Sequence, residues 1–244
     1  MRDGSAMQPL TWRDLDPPGA TLASGVTSGF VCGLLIGGVG GRLAMFVLRL
    51  TSDPALRGLK TDDGFTIGVF STETLFLLGV TAGLGILGGL LYLIVRGWIP
   101  KRWRVVVMTV YFGLVGGGGL LRPDGIDFTL LSPLPLAVAM FIAIPVAYGA
   151  AMPWLTEWLS REGSAMRRRR WAWIVGLLPL LLANIVGVLL LVVAFIVLLV
   201  RRSVPAIVAD WRSPVGAWIG RALLLVTALA SGAKLLRDSL EILS

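Results

Sequence analysis

Long uncharged apolar runs decide what this chain can become. Leu, Val, Ile, Ala and Gly dominate at about 22–48, 73–95, 105–121, 133–156, 171–200 and 214–236, and most charges fall between these runs. A bilayer core about 30 Å thick is crossed by about 20 apolar residues at 1.5 Å rise. Only 15% of the 244 residues are charged, where a soluble domain carries about 25%. The pattern predicts an all-α fold, a polytopic transmembrane bundle of about six spans. Residues 1–21 are expected to be a polar cytoplasmic arm, 22–237 the membrane domain and 238–244 a short cytoplasmic end. Thr21 or Ser24 is the expected cap of the first helix.

Net charge is +8. The basic residues lie in short loops between apolar runs, so membrane orientation explains them and nucleic-acid binding is not expected. Alternating the six runs across the bilayer gathers thirteen Lys and Arg on the side of the N-terminus and seven on the other. The positive-inside rule then predicts both termini in the cytoplasm of a bacterial cell membrane. The fifth loop dissents, with Arg201, Arg202 and Arg212 outside. Trp98, Trp103, Trp154, Trp158, Trp171 and Trp173 are expected at the inner interface, and Trp211 and Trp218 at the outer one.

The absence of histidine excludes His-ligated haem, histidine zinc sites and Ser-His or Cys-His catalysis. The single cysteine, Cys32, excludes an intramolecular disulfide. No catalytic residue, cofactor or metal ligand is assigned.

Gly25, Gly29, Gly33, Gly37 and Gly41 recur at every fourth position of the first run. Such rows let helix backbones approach closely in lipid. Intramolecular packing is the expected use, against a row at Gly79, Gly83 and Leu87. A homo-oligomer seam, or one for another membrane protein, is the alternative.

Arg42 follows that row inside the apolar run. A charge at that depth requires a partner or water, and Glu73, Asp124 and Asp127 are the candidate acids. Arg221 interrupts the last run, and Asn184 is the one amide inside a span. If Arg42 and Arg221 face each other, they form an anion site. Arg167, Arg168, Arg169 and Arg170 are expected to contact anionic lipid at the cytoplasmic face. Lys234 and Asp238 are spaced for an ion pair on one helix.

The segments Gly41-Arg42-Leu43-Ala44-Met45, Thr61-Asp62-Asp63-Gly64-Phe65 and Pro123-Asp124-Gly125-Ile126-Asp127-Phe128 resemble those of uncharacterised actinomycete-type six-span membrane proteins. The resemblance implies a six-span fold and brings no activity with it. Three functions are weighed: a non-enzymatic scaffold or accessory subunit, a small-solute or anion channel or transporter, and a lipid-modifying enzyme at the outer face.

Overall fold

The structure, a computed structural model, describes residues 18–52, 72–125, 132–182 and 213–243. The elements are α1 (Pro18–Cys32), a π-helical segment Gly33–Gly40, α2 (Gly41–Thr51), α3 (Thr72–Val95), α4 (Arg104–Leu120), α5 (Leu134–Leu159), α6 (Ala165–Arg168), α7 (Arg170–Leu182) and α8 (Pro214–Leu243). A 3-10 turn, Lys101–Trp103, precedes α4. Helices satisfy their own backbone hydrogen bonds, which is what lets apolar segments cross lipid. Five stretches are long and apolar enough to do so: Gly19–Thr51, Leu75–Val95, Lys101–Leu120, Leu134–Leu159 and Pro214–Leu243. The expected fifth span is described only as far as Leu182, and the N-terminal arm, Trp211 and residues 201–212 lie outside the described residues.

α1 and α3 run antiparallel at backbone contact. A Cβ on Gly25 would lie 2.5 Å from Leu93 Cδ1, and one on Gly33 would lie 2.8 Å from Gly85 Cα. A Cβ on Gly29 would collide with the Gly85 carbonyl. The partner row is therefore Thr81, Gly85 and Gly89. Gly79 and Gly83, the expected partners, have nothing among the described residues within 4 Å of a Cβ, and neither has Gly41. The π segment accounts for both differences. An α-helix has fewer than four residues per turn, so a row spaced by four drifts around it; i→i+5 bonding winds wider and turns that drift back. Gly37 thus stays against Thr81, while α2 resumes the α pitch and carries Gly41 away.

α4 and α5 repeat the arrangement. A Cβ on Gly149 would lie 2.6 Å from the Met108 carbonyl oxygen, and one on Gly116 would lie 2.5 Å from Pro145 Cβ. α5 continues from Leu134 to Leu159 with Pro145 and Pro153 inside it. At one end of the bundle Ser52 Oγ donates to the Ser132 carbonyl at 3.1 Å and accepts from the Ser132 N–H at 2.9 Å. This ties the exit of α2 to the entry of α5.

The first helix starts earlier than expected, at Pro18, and Ser24 caps nothing: its Oγ donates back to the Ala20 carbonyl at 2.8 Å. α8 extends to Leu243, past the expected end at 236. A serine side chain caps its start: Ser213 Oγ accepts the Gly216 N–H at 3.0 Å, and Pro214 occupies the first turn.

α8 runs parallel to α4. Gly220 packs on the Trp98 ring, Thr227 reaches Tyr111, and Lys234 reaches the carbonyls of Gly118 and Leu121. Pro18 and Leu243 therefore lie at opposite ends of the bundle. This corrects the expectation that the two termini share a side. The end holding Pro18, loop 96–103 and loop 160–169 is called the basic end below.

Gly29→Ala forces a side chain into the Gly85 carbonyl and is expected to cost about 1–3 kcal/mol of stability. Gly83→Ala, with open space around it, is expected to leave the unfolding midpoint in detergent unchanged or raised. Equal effects of the two would refute the contact.

Candidate functional site

The polar cluster at the basic end is built on Glu157, in the last turn of α5. Its Oε1 accepts the Tyr92 hydroxyl at 2.7 Å and Arg104 Nη1 at 2.8 Å, and Arg96 Nη1 lies 3.7 Å away. Tyr92 is fully buried near the end of α3, and Arg104 opens α4. One carboxylate thus joins three helices where they leave the apolar region. Arg104 Nε also donates to the Ile99 carbonyl at 3.2 Å, and Arg221 Nε donates to the Trp98 carbonyl at 2.8 Å. These bonds attach the loop between α3 and α4 to α8.

A seam of small hydroxyls continues inward from this cluster. Thr156, beside Glu157, bonds Ser28, and both are fully buried. Thr27 Oγ1 donates to the Gly176 carbonyl at 3.0 Å and ties α1 to α7. Tyr148 Oη donates to the Gly85 carbonyl at 2.6 Å. Each of these groups has a partner, as burial demands.

At the opposite end Lys234 Nζ donates to the Gly118 carbonyl at 2.7 Å and pairs with Asp238. A cation here satisfies carbonyls left over at the α4 C-terminus and opposes its dipole. An open pocket beside it is lined by Arg122, Asp124, Lys234, Arg237, Asp238 and Glu241.

The expected polar residues are dispersed. Asp124 lines that pocket, and no ion pair between it and Arg42 occurs among the described residues. Arg42 is half-buried, one turn beyond Gly38, which packs on Leu78 near the start of α3. Arg221 lies at the basic end, so the pair cannot flank one anion. Asp127, Asn184 and the Glu73 side chain lie outside the described residues. Arg168 and Arg169 are exposed, and the Arg169 guanidinium stands 5.8 Å from the Trp171 ring. Arg167 is half-buried and reaches the Ser160 carbonyl at 3.5 Å; the Arg170 side chain is not among those described. Trp218 belongs to the basic end, because its helix enters there.

Sequence reasoning missed Glu157, placing it just past the fourth span. Its signal was present: an acid between Trp154 and Trp158 on the side that carries most of the arginines. The family models, curated proteins and solved structures compared with this chain give no match.

Glu157→Gln removes the charge that two guanidinium groups share. Because Glu157 is one-third exposed, a loss of about 1.5 kcal/mol is expected. Tyr92→Phe is expected to cost about 1 kcal/mol, and the double variant less than the sum. Additive losses in detergent unfolding would show that the two groups do not interact.

Proposed function

We propose that this protein is a non-enzymatic scaffold or accessory subunit of a bacterial cytoplasmic membrane. The observation that carries this is backbone contact along both α1–α3 and α4–α5. Glycines bring these pairs so close that a methyl group would collide, and a solute path needs space between helices. The charged groups lie at the two ends, engaged with carbonyls and with each other. A channel lined by Arg42 and Arg221 has no support, since the two sit at opposite ends. A lipid-modifying site beside Asp124 would need an enclosed cleft for acyl chains, and that pocket stands open, with charged residues at most of its lining positions.

We read the orientation from charge. Among the described residues the basic end carries Arg96, Lys101, Arg102, Arg104, Arg161, Arg167, Arg168, Arg169, Arg170 and Arg221, and the other carries Arg42, Arg49, Arg122, Lys234 and Arg237. Ten against five favours the basic end in the cytoplasm. Exposed Trp103, Trp154, Trp158, Trp171 and Trp218 form the aromatic belt of that leaflet. The N-terminus is then cytoplasmic and the C-terminus external. Such a chain makes an odd number of crossings, in keeping with the five long apolar stretches among the described residues. Arg167, Arg168, Arg169 and Arg170 draw anionic lipid to the cytoplasmic face, and the glycine row is an intramolecular zipper, not an oligomer seam.

Two measurements test this reading. Proteoliposomes holding the purified chain are expected to pass chloride and phosphate no faster than empty liposomes; a protein-dependent flux would overturn the scaffold. In cells carrying Cys32→Ser with one new cysteine, an impermeant thiol reagent is expected to label Ser239→Cys from outside and to spare Glu162→Cys. The reverse pattern would invert the orientation, and equal labelling would place both on one side.

A further inference from the structure

Two guanidinium groups share the Glu157 carboxylate, and a third is held on a carbonyl of the loop between α3 and α4. Arg104 and Arg221 are held on successive carbonyls, those of Ile99 and Trp98, and Arg104 shares Glu157 with Arg96. The Glu157 oxygen facing Arg96 is already engaged by Tyr92 and Arg104. Arg96 Nη1 is buried there with no hydrogen-bond partner. A buried donor left in this state is uncommon and costly. Arg221 uses only Nε among the described residues, and it is an exposed residue. The cluster therefore holds surplus positive charge with donors to spare.

We propose that this cluster seats the phosphate of an anionic phospholipid headgroup, with Arg221 and Arg96 as its ligands. Guanidinium presents its donors in a planar fork that matches two phosphate oxygens. Arg96 keeps Nη1 buried toward Glu157, and its side chain, 23% exposed, still reaches the surface. The depth is that of headgroups: α3 ends and α4 begins here, and Trp103 and Trp218 stand exposed on either side. Leu225, exposed on α8 one turn inward of Arg221 on the same face, offers an apolar surface for the acyl chains. Trp98, buried against Gly220, holds α8 on the loop and so fixes Arg221 in place. The lipid is thus a clamp between α8 and the rest of the bundle. The inference rests on the chain spanning a membrane.

The test is thermal unfolding of the full chain in a neutral detergent, titrated with phosphatidylglycerol, phosphatidylcholine or sodium phosphate. Phosphatidylglycerol is expected to raise the midpoint saturably, and phosphatidylcholine to leave it unchanged. Arg221→Gln and Arg96→Gln are each expected to weaken the phosphatidylglycerol response about tenfold, as loss of one charge-assisted contact does. Arg161→Gln, which removes an exposed charge from the same end, is expected to keep it. Circular dichroism of each variant without lipid checks that it is folded. An equal response in all variants, or equal loss in Arg161→Gln, would reduce the effect to diffuse charge and overturn the site. Sodium phosphate acting as strongly as phosphatidylglycerol would keep the phosphate seat and overturn the lipid as its source. Recovery of the chain without detergent would overturn the membrane reading and the lipid together, whereas a detergent-bound chain blind to phosphatidylglycerol would overturn the site alone.

Discussion

Inside a bilayer, apolar side chains gain nothing by leaving lipid for one another, so helices must be held by close contact. The Gly29–Gly85 approach meets that requirement backbone against backbone, with no side chain between. It sets the α1–α3 spacing, which places Thr156 against Ser28 and Tyr148 against the Gly85 carbonyl. α5 is thereby drawn onto α1 and α3, and α4 follows through its own glycines. Side-chain hydroxyls then supply direction, since each reaches a specific partner. The order of cause runs from missing side chains to backbone proximity, and from there to hydrogen bonds between helices.

Charge is handled at the two ends by different means. At the basic end Glu157 gathers Arg96 and Arg104 from the two sides of one loop, and the Trp98 carbonyl of that loop holds Arg221 from α8. At the other end a single lysine closes the α4 terminus and is itself neutralised by Asp238 one turn further along α8. Both devices involve α8, which otherwise exposes much of its length. Arg221 and Lys234 are about three and a half turns apart on that helix, roughly 20 Å at 1.5 Å per residue. They pin it at both ends of α4, which is why it runs parallel to α4.

The apolar runs make the helices legible, because their length needs no tertiary knowledge to interpret. Gly25, Gly29 and Gly33 are legible as a packing face for the same reason. Their partners are not: spacing by four on α3 points to Gly79 and Gly83, and the π segment, which sequence periodicity does not announce, selects Thr81, Gly85 and Gly89 instead. Alternation is a sound rule for α1 through α7 and fails at α8. Composition alone does not give the direction of α8. Arg201, Arg202 and Arg212, which dissent from the positive-inside count, are the one hint. Arg42 and Arg221 stand out as charges among apolar residues, but their depth depends on helix direction, and the reversal of α8 separates them. Glu157 sits at a boundary, where a charge is ordinary until its neighbours in space are known.

The π segment has a mechanical consequence for what lies beyond it. Its eight residues, Gly33–Gly40, are wound more loosely than the helices on either side, and half of them are glycine. Rewinding that stretch to the α pitch would lengthen it and rotate α2 about its own axis, with no bond broken between α1 and α3 below it. Arg42 stands at the first turn past this joint, so its azimuth is set by how the glycines are coiled. The chain thus carries a swivel in its first crossing, with a cation mounted on the turning half and Ser52 moored to Ser132 at the far end.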